Sequence, residues 1–213
     1  MPPSLPPRSA TVERATRETQ IRVTLTLDRS ADTVTSIETP SGFLSHMLDA
    51  LARHGGLGLE LHARGDTHID DHHTVEDIGI VLGQAFKLAI GDAAGIRRFA
   101  HAYAPLDGSL VRAVVDISGR PHLSMDVPFL ASVASGGSDP RGGFDFALLR
   151  DFLQGFVDNA RLTLHLDLLR SDASNHHRAE ASFKALALAL RQAVARSADE
   201  LGLIPSTKGR IES

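Results

Sequence analysis

The chain has 213 residues, enough to bury a substantial core in one domain or in two small ones. Its formal charge of -4 gives no support to nucleic-acid binding, and no apolar run approaches the roughly 20 residues that a membrane span needs. Cysteine is absent, which excludes disulfides and thiolate metal sites and leaves 11 histidines and the carboxylates as strong metal ligands. A cytoplasmic location is the default expectation.

The chain is expected to begin with a proline-rich, disordered tail, residues 1–9, which lacks the apolar core of a signal peptide. In the first half, 10–95, alternating apolar residues predict strands, and longer apolar stretches that end at glycine predict helices. In chain order these are an extended stretch, a short strand, a helix, a strand and a longer helix, at 12–27, 32–38, 43–54, 57–63 and 70–90.

The second half, 96–213, repeats this order of elements. It contains three strand candidates, a Gly/Ser-rich loop, a helix, a strand and a long helix, at 101–105, 110–117, 122–127, 131–143, 146–159, 161–168 and 175–198. Repetition of the same elements in the same order predicts an internally duplicated α+β unit, with both halves in one compact body.

A five-residue pattern, HHxxE, occurs in each half, at 72–76 and at 176–180. On a helix, the first histidine and the glutamate of each copy share a face and can bind one ion. The second histidine of each copy, His73 or His177, points away from that face. It can bind a second ion or complete the site of a neighbouring subunit.

A further possible ligand lies in the helix before each copy, at nearly the same separation: His46 before the first and Asp151 before the second. The sequence therefore predicts that His46 serves the first HHxxE and Asp151 the second. Imidazoles with one carboxylate suit a divalent transition metal better than calcium or magnesium, and zinc, iron and manganese all fit. A single His-His pair is most often a solvated helix start, but two copies at matching positions argue against that interpretation.

Cationic and hydroxyl residues near element ends form a second, weaker signal. Arg98 follows the first long helix, Arg120 follows a strand, and the Ser-Thr-Lys string 206–208 lies near the C-terminus. Arginine forks and such a loop suit a phosphate monoester, although most exposed Arg and Lys are simply solvated. Lys184 lies one helical turn after the second HHxxE, on the same face.

Six strings in the chain resemble those of imidazoleglycerol-phosphate dehydratases, the enzymes of histidine biosynthesis. They begin at Thr16, Phe43, Gly65, Asp116, Asn175 and Pro205, and they read TRET, FLSHML, GDTHIDDHHTVED, DISGRP, NHHRAEASFKA and PSTKG. The resemblance extends from about Ala10 to Ile211. Two such HHxxE strings in one chain are highly specific for this family.

The resemblance implies a lyase that dehydrates D-erythro-imidazole glycerol phosphate to imidazole acetol phosphate, through a metal-stabilised imidazolate and a diazafulvene-like intermediate. It implies two Mn2+ ions per active site, and active sites at the subunit interfaces of a closed homo-oligomer of about 24 subunits. The implied fold resembles ribosomal S5 domain 2, with a helix bundle flanked by two small mixed sheets. We expect a single activity, because the chain lacks the phosphatase domain fused to some relatives. No nucleic-acid or membrane partner is expected.

The family's functional residues carry over position by position. Glu18 matches the acidic residue that handles protons and contacts the substrate. The other substrate-binding positions match Arg98, Arg120, Lys184, Ser206, Thr207 and Lys208. The metal-binding positions match His46, His72, His73, Glu76, Asp151, His176, His177 and Glu180.

Two positions depart from the family pattern. Many relatives carry histidine where this chain has Asp151, whose side chain is shorter. The family's Pro-Leu-Asp-Glu string ends here in Gly108, without its last carboxylate.

Two other functions share these features. One is a dinuclear metallohydrolase that attacks a phosphate ester with a metal-bound water. The other is a non-catalytic shell, in which the HHxxE strings only join subunits through metal ions.

Overall fold

The computed structural model describes residues 8–130, 143–196 and 200–211. The predicted N-terminal tail and Gly/Ser-rich loop lie almost entirely outside these ranges. At the end of the predicted tail, the first strand begins at Ser9, and the Arg8 guanidinium donates to both carboxylate oxygens of Asp28, at 2.9 and 2.7 Å. Arg8 and Ser9 are therefore part of the fold and not of the tail.

The described residues form eight strands and four helices in the predicted order. The strands are β1 (Ser9–Ala15), β2 (Thr19–Thr26), β3 (Ser36–Glu38), β4 (Gly58–Gly65), β5 (Phe99–Leu106), β6 (Ser109–Asp116), β7 (His122–Asp126) and β8 (Thr163–Arg170). The helices are α1 (Gly42–Gly55), α2 (His72–Ile90), α3 (Leu148–Ala160) and α4 (Asn175–Ala193). None of these helices in the described part of the chain is long and apolar enough to cross a membrane.

The strands form two four-stranded mixed sheets with matching topology, β1-β2-β4-β3 and β5-β6-β8-β7, among the described residues. In each sheet the short edge strand, β3 or β7, runs parallel to its neighbour, and the other pairs are antiparallel. The same order and the same directions in both halves confirm the internal duplication and the α+β class.

Several element boundaries differ from the sequence prediction. The short strand expected at 32–38 spans only Ser36–Glu38. The extended stretch 12–27 is two strands, because the Thr16 hydroxyl accepts the backbone N–H groups of Glu18 and Thr19 and so forms a turn. The last helix ends at Ala193 and not at 198. The backbone N–H groups of Arg97 and Arg98 bond the carbonyls of Ala195 and Ala193, and these bonds draw the chain out of the helix.

The two halves are joined through their helices. Helix α2 packs on the first sheet and against α3, whereas α4 packs on the second sheet and against α1. Alternating apolar residues such as Ile21, Val23 and Leu25 turn one face of each sheet toward these helices, and a single apolar core results. One helix of each half therefore packs against a helix of the other half, so neither half is a separate domain.

Glycines let α2 and α3 approach closely. A Cβ added at Gly79 would lie 2.2 Å from the Phe152 carbonyl oxygen, and one at Gly83 would lie 2.5 Å from the Phe156 carbonyl oxygen. Both distances are shorter than any van der Waals contact. Only glycine is compatible with this crossing, which also sets how near Asp151 of α3 comes to α2.

We expect Gly79→Ala to lower the free energy of unfolding by about 1–3 kcal/mol, because the added methyl group must push two helix backbones apart. Gly42→Ala is the matched control, since a Cβ there meets nothing within 4 Å. Denaturant unfolding of the metal-free proteins measures both. Equal stability of the two variants would contradict a close crossing of α2 and α3.

Candidate metal centre

Each HHxxE string opens a helix, and a nearby oxygen accepts one of the first backbone N–H groups. Asp70 Oδ1 accepts from the backbone N–H of His72 at 2.8 Å, and Ser174 Oγ accepts from that of His177 at 3.2 Å. These bonds satisfy donors that the helix itself cannot pair. The histidine pairs are thereby held in regular helical geometry at two equivalent helix starts.

The second HHxxE forms a cluster with a histidine from the first half. Glu180 Oε2 lies 3.1 Å from His176 Nε2 and 3.4 Å from His46 Nε2. The three donor atoms lie within 4.8 Å of one another, and no other group of three in the described part of the chain does so. Two imidazoles and a carboxylate at this spacing fit a divalent transition metal.

Lys184 keeps the carboxylate of this cluster charged. Its Nζ lies 2.7 Å from Glu180 Oε1. Burial alone would raise the pKa of Glu180, but the hydrogen bond and charge of Lys184, with bonds from His176 and His46, hold that pKa below its usual value. The ionised carboxylate is the form that binds a cation.

The first HHxxE forms a looser cluster with a residue from the second half. Asp151 Oδ2 lies 3.4 Å from His72 Nδ1, and Glu76 Oε2 lies 4.0 Å from His72 Nε2. Asp151 and His46 occupy equivalent places, near the starts of α3 and α1. The two clusters are therefore related by the internal duplication, with aspartate in one where the other has histidine.

The predicted pairing within each half is wrong. His46 lies with the second HHxxE and Asp151 with the first, because α1 packs against α4 and α3 against α2. His46 precedes the first HHxxE and Asp151 the second at nearly equal separations. That equality reflects the duplication and does not reveal which helices pack together. The structure thus brings together six of the eight predicted ligands as two mixed clusters.

The remaining two histidines are each bonded to a carboxylate. His73 Nδ1 lies 3.0 Å from Asp66 Oδ2, and His177 Nδ1 lies 2.6 Å from Asp172 Oδ2. The bond from His177, with a backbone N–H from Ser174, lowers the pKa of Asp172 to about 2. A carboxylate on Nδ1 fixes the ring and leaves Nε2 as the metal-binding atom.

These two orienting carboxylates were not identified from the sequence. Asp66 and Asp172 both lie at the start of the loop from a sheet strand to a helix that begins with HHxxE. Their equivalent positions in the two halves are the sequence signal from which they could have been identified.

Glu18 lies at the tip of the β1–β2 hairpin, beside the first histidine pair. Its side chain is exposed, and its negative charge helps raise the pKa of His73, after the larger effect of the hydrogen bond to Asp66. The hairpin is anchored to α2 through the buried Asp77. Asp77 accepts from the Thr19 hydroxyl and from Arg14 Nε at 3.1 Å. Asp77, Thr19 and Arg14 were not identified from the sequence.

The predicted phosphate-binding residues occupy a different part of the chain's surface. Arg98 is paired with Asp116, Nε to Oδ1 at 2.7 Å, and donates through Nη1 to the Pro205 carbonyl at 2.8 Å. This second bond joins Arg98 to the loop of Ser206, Thr207 and Lys208. Arg120 is exposed and lies two residues after Ser118, whose hydroxyl donates to the Arg120 carbonyl.

Comparison with known proteins agrees with this arrangement. The sequence model of imidazoleglycerol-phosphate dehydratase matches residues 39–190. The chain belongs to the imidazoleglycerol-phosphate dehydratase family. The matched residues include both HHxxE strings and the helices α1 and α3 that pack against the HHxxE helices.

Relatives match over almost their whole length. An imidazoleglycerol-phosphate dehydratase from Pseudomonas fluorescens is 52% identical over 202 residues, covering 95% of this chain and 98% of the relative. One from Chromohalobacter salexigens is 54% identical over 205 residues, covering 96% and 98%.

Crystal structures of the family show the same fold. That of the enzyme from Staphylococcus aureus has a TM-score of 0.75 at 39% identity and covers 89% of this chain and 99% of its own. That from Pyrococcus furiosus, in complex with (S)-C348, has a TM-score of 0.76 at 35% identity and covers 93% and 99%.

Proposed function

We propose that the protein removes water from D-erythro-imidazole glycerol phosphate to give imidazole acetol phosphate, in the histidine biosynthesis of the cytoplasm. The observation that carries this proposal is the pair of related clusters at the starts of α2 and α4, in a chain of this family. An imidazole ring has two nitrogens that can each accept a cation, so residues that would hold two metal ions fit an imidazole substrate.

The residues present fit two Mn2+ ions per active site. Imidazole nitrogen and carboxylate oxygen are both ligands that Mn2+ accepts. Within one chain, one ion would be held by His46, His176 and Glu180, and the other by His72, Glu76 and Asp151. When bound, the two cations would favour the ionised imidazole ring and thus the diazafulvene route of hydroxyl loss.

His73 and His177 support a site that is shared between subunits. Both rings are oriented by carboxylates, yet neither ring is part of the clusters formed by the described residues of its own chain. We propose that each completes a cluster of a neighbouring copy. A closed homo-oligomer of about 24 subunits would allow every copy to give and receive such ligands.

The remaining residues are assigned to the substrate. Glu18, beside His73, moves the proton of the glycerol carbon as general acid/base. Lys184, whose ammonium group pairs with Glu180, is assigned to the same site. Anchoring of the phosphate, which orients the glycerol chain, is assigned to Arg98, Arg120, Ser206, Thr207 and Lys208.

The hairpin anchor predicts a matched pair of variants. Thr19→Val removes the hydroxyl that Asp77 accepts and loosens the turn that carries Glu18, whereas Thr19→Ser keeps the hydroxyl. We expect kcat of Thr19→Val to fall about ten- to hundredfold, because small misplacements of a reacting group have effects of this size. Thr19→Ser should retain most of the activity. Turnover at saturating Mn2+ and substrate measures both, and equal kcat values would contradict a positioning role for the anchor.

The decisive assay supplies imidazole glycerol phosphate and Mn2+ and follows all products. We expect one molecule of imidazole acetol phosphate for each substrate consumed, with no inorganic phosphate. Phosphate release without the ketone would overturn the proposal and favour the dinuclear metallohydrolase.

A further inference from the structure

The two clusters differ in their donors. The cluster of His46, His176 and Glu180 has two imidazoles and one carboxylate. Its counterpart has one imidazole, His72, between two carboxylates, Glu76 and Asp151. One exchange, aspartate for histidine at equivalent places in α3 and α1, accounts for the difference.

Their charges differ as well. Lys184 neutralises Glu180, at 2.7 Å, one turn further along α4. The equivalent position in α2 is Ile80, so no lysine accompanies Glu76. The cluster around His72 therefore holds two carboxylates and gains no cation from that position. The cluster of His46, His176 and Glu180 holds one carboxylate, which Lys184 already pairs.

Asp151 is near enough to act despite its short side chain. The close α2–α3 crossing at Gly79 places its Oδ2 3.4 Å from the His72 ring. Asp151 is 39% exposed, so its side chain has room to turn toward an ion shared with Glu76.

We propose that the two clusters prefer different divalent ions: the His46 cluster selects imidazole-seeking ions such as Zn2+, and the Asp151 cluster selects oxygen-seeking ions such as Mn2+. This rests on the proposed function only in that both clusters bind a divalent ion. Zn2+ exceeds Mn2+ in affinity for most sites, but its advantage is larger with imidazole ligands, whereas carboxylates suit Mn2+. The same protein would then hold a mixed pair of ions when both metals are present.

The experiment loads the metal-free native protein with Mn2+ and titrates Zn2+ against it. Free Mn2+ gives a sharp six-line electron paramagnetic resonance signal, which counts the ions released. We expect release in two phases, one Mn2+ per chain in each, with Zn2+ concentrations that differ by about tenfold or more, since altered metal surroundings commonly change affinity by ~10- to 100-fold.

Reciprocal variants assign the phases. Asp151→His should move the second phase to low Zn2+ and merge it with the first. His46→Asp should move the first phase to high Zn2+, so that the two merge there. Asp158→His adds an imidazole to the exposed face of the same helix, away from the cluster, and should keep both phases.

Three outcomes are distinguishable. Release of both Mn2+ ions from the native protein in one phase would overturn the inference and leave the dehydratase proposal standing. Two phases that persist unchanged in Asp151→His would also overturn it. A native chain that binds no Mn2+ would overturn the proposed function itself. If one variant fails to assemble, the native curve and the other variant still decide.

Discussion

Replacement of Glu18 by glutamine is expected to lower kcat by about 10²- to 10⁴-fold, the range that general acid/base catalysis supplies. Glutamine keeps the size and hydrogen-bonding capacity of the side chain but cannot take up a proton at neutral pH. Glu18 is exposed at the hairpin tip and belongs to neither metal cluster. Metal content and assembly should therefore remain at the native level while turnover collapses.

The control for this variant is Glu13→Gln. Glu13 lies on the neighbouring strand β1, is also exposed, and pairs with Arg22 on the surface. An exposed pair of this kind contributes little to stability, so kcat should stay near the native value. Unchanged turnover in Glu18→Gln would remove Glu18 from the mechanism and favour the non-catalytic shell.

Removal of metal by a chelator is expected to abolish activity and to reduce the molecular mass in solution. The physical reason is the proposed sharing of ligands, in which His73 and His177 of one copy complete the clusters of another. Without an ion, the two carboxylates at His72 repel each other and nothing joins the histidines of adjacent subunits. Sedimentation and turnover, measured before and after addition of the chelator, follow both effects.

Restoring Mn2+ should restore both the mass and the activity. His73→Asn, which removes one shared ligand, should weaken assembly in the presence of metal. His101→Asn is the control, because His101 is an exposed histidine on β5 and not in an HHxxE string. An assembly that keeps its full mass after complete metal removal would contradict the shared sites.

Much of the fold could be predicted because its signals are local. The alternation in Ile21, Val23 and Leu25 reports a sheet with one buried face, and all four helices appear where apolar periodicity placed them. The predicted end of the last helix was wrong because tertiary bonds decide it. Helix α4 ends at Ala193 because the backbone N–H groups of residues 97–98 donate to carbonyl groups at its C-terminal end. No sequence pattern near Ala193 reveals these bonds.

The sequence by itself determined the chemical groups of the candidate site. The two HHxxE strings place a histidine and a glutamate on one helical face, since residues four apart must lie there. The strings around them also determined the family, which the comparisons confirm.

Only the tertiary structure decided which groups meet. His46 pairs with Glu180 and Asp151 with His72, because each helix that begins with HHxxE packs against a helix of the other half. The orienting aspartates and the buried Asp77 act across turns and between elements, so their roles depend on where the chain returns in space. Helical periodicity is a property of neighbours along the chain, whereas packing of α1 on α4 and of α3 on α2 is set by the whole core.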